Sequence, residues 1–157
     1  CIEGRIPRLL LSKEYRYPAG QFLLSPPAGL LDPSDALTDD PILSAARREL
    51  WEETGLIIKP GDSLSIINPL LFSSPGMTDE SNALVCAVVH LPGPGMSSLN
   101  CLSHENASGS ECFAGFQLVS VKAAKDILKA GIDKQGVFYS VYTWAALMYF
   151  TSGLWRK

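Results

Sequence analysis

Hydrophobic and polar positions follow two different periods along the chain. "PRLLLSKEY" (7–15) and "QFLLSPPAG" (21–29) carry short aliphatic runs and read as strands, the second stopped by two prolines. A polar connection, "LLDPSDALTDD" (30–40), follows. The apolar period then becomes helical, with Leu43, Ala46 and Leu50 at three- and four-residue spacing. Asp40 is placed to cap this helix, Pro41 suits its first position, and Gly55 suits the left-handed residue that ends it.

Beyond Gly55, residues 63–74 and 82–91 are strand candidates separated by the turn-like "PGMTDES". Residues 91–111 have the composition of a long surface loop, a length that is uncommon and often functional. Residues 112–121 read as another strand and 122–131 as a short helix closed by Gly131. Residues 139–155 read as a largely buried final helix, with Trp144 and Trp155 as packing residues. No repeat or low-complexity segment appears, and helices and strands alternate without strict βαβ repetition. The expected fold is α/β, a mixed sheet flanked by helices.

A chain of 157 residues is long enough for one domain with a real core. A hydrophobic share of 46% with 18% charged residues excludes a disordered chain. The net charge of −3 provides no broad positive surface for nucleic acid, so a polyanionic ligand would need a cation or a few placed arginines. No CxxC pair occurs among Cys1, Cys86, Cys101 and Cys112; Cys86 and Cys112 lie in apolar runs and are expected as buried, reduced thiols suited to a cytoplasm. The longest apolar run, 83–89, falls far short of the ~20 residues a spanning helix needs, so no membrane partner is expected. No signal peptide is visible, and a start at Cys1 rather than Met makes an incomplete N-terminus an expectation.

"RRELWEETGL" carries the candidate chemistry. At about 100° per residue, with Glu49 at zero, Glu52 falls at about 300° and Glu53 at about 40°. Leu43, Ala46 and Leu50 lie between about 60° and 120°, so the acids border the buried stripe instead of opposing it. Like charges at this spacing repel by a few tenths of a kcal/mol per pair. Two readings follow. One is a solvated acidic edge with Arg48 bonded to Glu52; the other is an oxygen-rich site for a hard cation, Mg²⁺ or Mn²⁺.

The neighbouring residues carry a resemblance. "PPAGLLD…AARRELWEETGL" resembles the signature of the Nudix hydrolases: Gly, five residues, Glu, seven residues, then Arg-Glu-U-x-Glu-Glu-x-Gly-U with U aliphatic. Residues 48–56 match its second half throughout. The first half departs: the position eight before Arg48 holds Asp40, and ten residues separate Gly29 from Asp40 where the pattern has five. A five-residue insertion is therefore expected between Gly29 and Asp40, with Asp40 taking the place of the Glu that partners the motif's Arg. "EYRYPAGQFLLSPPAGLLD" and "SSPGMTDES" resemble the ADP-ribose pyrophosphatase subfamily.

The resemblance implies a Nudix-type α/β/α sandwich over 1–157. It implies hydrolysis of a nucleoside diphosphate linked to another moiety, with ADP-ribose as first substrate and Mg²⁺ (or Mn²⁺) as cofactor. Glu49 and Glu53 are the implied metal ligands, with the carbonyl of Ala28; Glu52 is a ligand or orients the attacking water. The implied general base is a downstream loop acid, Glu111 before Glu105, with His104 a third candidate, though a surface role suits it better. Arg16 is the candidate phosphate or ribose contact, Tyr17 a base-stacking candidate, and Pro75, Gly76 and Glu80 the substrate loop. Gly29, Asp40, Arg48 and Gly55 are structural parts of the motif. A homodimer is implied as well. Another sugar nucleotide or dinucleotide as substrate, or a silent nucleotide sensor, remain alternatives.

Overall fold

Leu10 and Leu11 point to opposite faces of one strand, and each is buried in a different core. That strand, β2 (Ile6–Arg16), is the centre of the molecule. The computed structural model describes residues 2–3, 6–91, 102–105, 107, 112–131 and 138–156. Around β2 lie β1 (Ile2–Glu3), β3 (Gln21–Ser25), β6 (His90–Leu91), β7 (Phe113–Ser120) and β8 (Phe138–Tyr139) in one sheet. β2 pairs antiparallel with β1, β3 and β7, whereas β1–β6 and β3–β8 are parallel, so the sheet is mixed. β4 (Ser63–Phe72) and β5 (Ser81–Val88) form a separate antiparallel hairpin. Its register shifts between Ile66 and Leu71, around Pro69, which has no N–H for the ladder.

Helix α1 (Pro41–Thr54) packs Leu50 against Leu10, Leu56, Val89, Leu91 and Leu102 on one face of the sheet. Helices α2 (Val121–Ala130) and α3 (Val141–Ser152) cover the other face, where Ala124, Ile127, Leu147 and Phe150 meet Leu11, Leu24 and Val119. The result is the expected α/β/α sandwich.

The ends of α1 follow the residues read for them. Asp40 Oδ1 accepts from Leu43 N at 3.1 Å, Pro41 opens the helix, and Gly55, at φ 72°, donates to Trp51 O at 2.8 Å. On the other side, Ser140 caps α3, and the buried Thr143 hydroxyl donates to Leu24 O at 2.7 Å, tying that helix to β3.

Two expectations are corrected. α3 is buried on one face only: Leu147 is enclosed, while Val141 and Met148 are exposed. An apolar composition all round does not enclose a helix that has a neighbour on one side. Cys112 is exposed, because it precedes the first residue of β7 instead of facing a core from within it; Cys86 is half-buried, and both are free thiols. Cys1 and Cys101 lie outside the described residues. Trp144 and Trp155 do pack against the Leu11 core. Among the described residues no helix is long and apolar enough to cross a membrane.

Candidate active site

β3 ends at Ser25 because Pro26 and Pro27 cannot continue the ladder, and the chain turns through Ala28 and Gly29 beneath α1. There the backbone meets the acidic edge of the helix. Ala28 N donates to Glu53 Oε1 at 3.2 Å, and the Glu53 side chain is buried. A Cβ at Gly29 would lie 1.9 Å from the carboxyl carbon of Glu49, so only glycine leaves that carboxylate its place.

Arg48 organises the rest. Its Nη1 donates to Glu49 Oε1 at 2.6 Å and to Glu52 Oε2 at 3.2 Å. Its Nη2 donates to Asp35 Oδ2 at 2.9 Å and to Leu30 O at 2.8 Å. Asp35 is buried; its Oδ2 also accepts from Asp32 N at 2.9 Å, and its Oδ1 from the Ser44 hydroxyl at 3.0 Å. The Arg48 hydrogen bond, then that from Asp32 N, holds the Asp35 carboxyl below the usual carboxylate range. Asp35 and then Glu49 raise the Arg48 guanidinium further above its already high value.

Asp35, not Asp40, is therefore the partner of Arg48. Asp40 is occupied with capping α1. Five residues, 30–34, separate Gly29 from Asp35, as the motif requires, so the inserted residues lie between Asp35 and Arg48. Counting back from Arg48 lands on the cap; counting forward from Gly29 finds the ion-pair partner.

The structure brings Ala28, Gly29, Arg48, Glu49, Glu52 and Glu53 together and adds Asp35. Three carboxylates, Asp35, Glu49 and Glu52, meet the one guanidinium of Arg48, and Glu53 meets the backbone at Ala28. Among the described residues no three Asp, Glu, His or Cys side chains converge as a finished metal cage. Mg²⁺ does not need one, since it binds through one or two carboxylates, substrate phosphates and retained waters. The donor set fits such a cation: carboxylates on a helix edge with a backbone turn held against them.

The other candidates are placed separately. Arg16, half-exposed at the end of β2, lies with Nη2 2.7 Å from Oε2 of the buried Glu14. Tyr17 is exposed and meets the edge of Tyr15 at 5.1 Å. Pro75, Gly76 and Glu80 lie in the exposed turn between β4 and β5, which Ser73 N closes onto Glu80 O at 3.2 Å. Glu105 is exposed beside α1's C-terminal end, while Glu111 lies outside the described residues. His104 is not a surface histidine: it is half-buried, stacked on Phe113 and Phe116, with Nδ1 2.7 Å from Glu53 O. Sequence reasoning also missed Glu14 and Ser44.

A pH dependence follows from Asp35. Its folded pKa is depressed, so its contribution to stability is present above the unfolded value of about 3.9 and is lost as pH falls through the folded value. The Tm difference between the wild type and Asp35→Asn should be largest near neutral pH and shrink below about pH 4. Thermal melts across pH 2–8 check this; a difference independent of pH would contradict the ion pair.

Over 88 residues the chain is 33% identical to an uncharacterized Nudix hydrolase of Schizosaccharomyces pombe, covering 56% of this chain and 38% of that protein. Over 92 residues it is 34% identical to the ADP-ribose pyrophosphatase of Saccharomyces cerevisiae, covering 59% of this chain and 36% of that protein. The chain thus spans less than two-fifths of the length of either relative. Residues 3–137 match the model of the NUDIX domain. With most of its length inside that match, and the motif's helix, turn and ion pair in place, the chain belongs to the Nudix family.

Proposed function

We propose that the chain hydrolyses the pyrophosphate bond of a nucleoside diphosphate-sugar, ADP-ribose first, to AMP and ribose 5-phosphate, with Mg²⁺ as cofactor. The observation that carries this reading is the gathering of Glu49, Glu52 and Glu53 beside the Ala28–Gly29 turn. Similarity to the yeast ADP-ribose pyrophosphatase supports the choice of substrate.

In this reading Glu49, Glu53 and the Ala28 carbonyl hold the cation. When bound, it supplies positive charge to the diphosphate and to the leaving oxygen. Arg48 orients Glu49 and Glu52 from behind, and Glu52 completes the ligand set or directs the attacking water. Water adds to one phosphorus, the bridging P–O bond breaks, and a loop acid, Glu111 or Glu105, accepts the water's proton. Arg16, steadied by Glu14, presents its fork to phosphate or ribose oxygens; Tyr17 and the Pro75–Gly76 turn with Glu80 border the base and sugar. Free thiols at Cys86 and Cys112 suit a reducing cytoplasm.

The test is AMP release from ADP-ribose, with ADP-glucose, NADH and diadenosine polyphosphates as competitors. Release should need Mg²⁺ and fall by about 10²-fold or more in Glu53→Gln, the upper end of what loss of a supporting group costs a metal site. Preference for a competitor would replace the substrate. Nucleotide binding without turnover would replace the enzyme by a sensor.

We also infer a homodimer, supported by Ile66, Ile67, Leu70 and Phe72, all exposed along β4. Sedimentation equilibrium should give the mass of two chains, and of one chain for Leu70→Asp. A single-chain mass for the wild type would contradict it.

A further inference from the structure

Glu53 is held at both of its polar ends. Its carboxylate accepts from Ala28 N at 3.2 Å, and its backbone carbonyl lies 2.7 Å from His104 Nδ1. A carbonyl can only accept, so Nδ1 carries the hydrogen of this bond. Nε2 is buried and has no hydrogen-bond partner among the described residues. The ring stacks on Phe116 at 3.8 Å and on Phe113 at 4.4 Å, with interplanar angles of 18° and 9°. Both phenylalanines belong to β7, so the imidazole bridges the sheet and the last turn of α1.

Its neighbours dock on the same turn. Ser103 N donates to Thr54 O at 3.0 Å, and Leu102 enters the core that holds Leu10 and Leu50. The last carbonyls of a helix have no partners within it and must find them elsewhere. Here Trp51 O is met by Gly55 N, Glu53 O by His104 and Thr54 O by Ser103. The helix end that carries Glu53 is thereby fixed in rotation as well as in height.

Resting on the catalytic reading above, we propose that His104 is a positioning residue: through the Glu53 carbonyl it sets where the Glu53 carboxylate stands for a divalent cation. Arg48 does this for Glu49 and Glu52 by their side chains; the Ala28–Glu53–His104 chain does it for Glu53. Groups that orient a metal ligand without touching the metal are worth about 10–100-fold in affinity or activity.

Two variants separate the hydrogen bond from the stacking. His104→Phe keeps an aromatic ring on Phe113 and Phe116 but has no donor, and His104→Asn places an amide N–H near the Nδ1 position. The readouts are Mn²⁺ binding without substrate, followed by electron paramagnetic resonance, amide exchange at Ser103 in the metal-free chain, Tm, kcat and KM. His104→Phe should bind Mn²⁺ about tenfold more weakly and lose a similar factor in kcat. Its KM should stay within about twofold of the wild type. Ser103 exchange should accelerate while Tm changes little, and His104→Asn should recover most of the Mn²⁺ affinity and kcat. Wild-type Mn²⁺ affinity in His104→Phe, or equal losses in both variants that track Tm, overturns the proposal. A wild type that neither binds Mn²⁺ nor turns over overturns the catalytic reading itself, an outcome distinct from a variant that leaves an active enzyme unchanged.

Discussion

The guanidinium of Arg48 is the constraint on which the site depends. Two nitrogens serve four acceptors: Glu49 and Glu52 on its own helix, Asp35 from the preceding turn, and Leu30 O from the chain leaving β3. A lysine could not span them, because its ammonium is a single point of charge and not a planar fork. The arrangement answers the repulsion between helix acids at its source. It also holds Glu49 and Glu52 in place along the edge of α1, where a cation would meet them.

Strand β2 and the turn after β3 bring the rest of the molecule to that edge. With Leu11 facing one pair of helices and Leu10 facing α1, the sheet fixes the height of α1 through Leu50. The prolines after Ser25 release the backbone from the sheet where it must pass beneath the helix. Gly29 allows it to come within reach of Glu49, and Ala28 N turns that approach into a hydrogen bond to Glu53. Core packing and site geometry are thus settled by the same few contacts.

What could be read from the residues, and what could not, divides along local and non-local lines. The limits of α1 were readable because Asp40, Pro41 and Gly55 act on backbone within a turn of themselves. The layered fold followed from alternating element types. Asp35 escaped because the inserted residues break the spacing on its helix side, while its partnership with Arg48 forms only once the chain folds back. His104 escaped for a similar reason: its stacking on Phe113 and Phe116 needs β7 in place. Glu14 would read as an ordinary alternating strand residue until its burial beside Arg16 is seen.

The most direct measurement is a Mn²⁺ titration of the wild type beside Gly29→Ala. The backbone at Gly29 is not left-handed, so alanine strains only what its methyl meets, and that is the Glu49 carboxylate. If the gathered acids exist to hold a divalent cation, the variant should keep its Tm while binding Mn²⁺ about tenfold more weakly or worse. A folded Gly29→Ala protein that binds Mn²⁺ as the wild type does, or a wild type that binds none, would contradict the account.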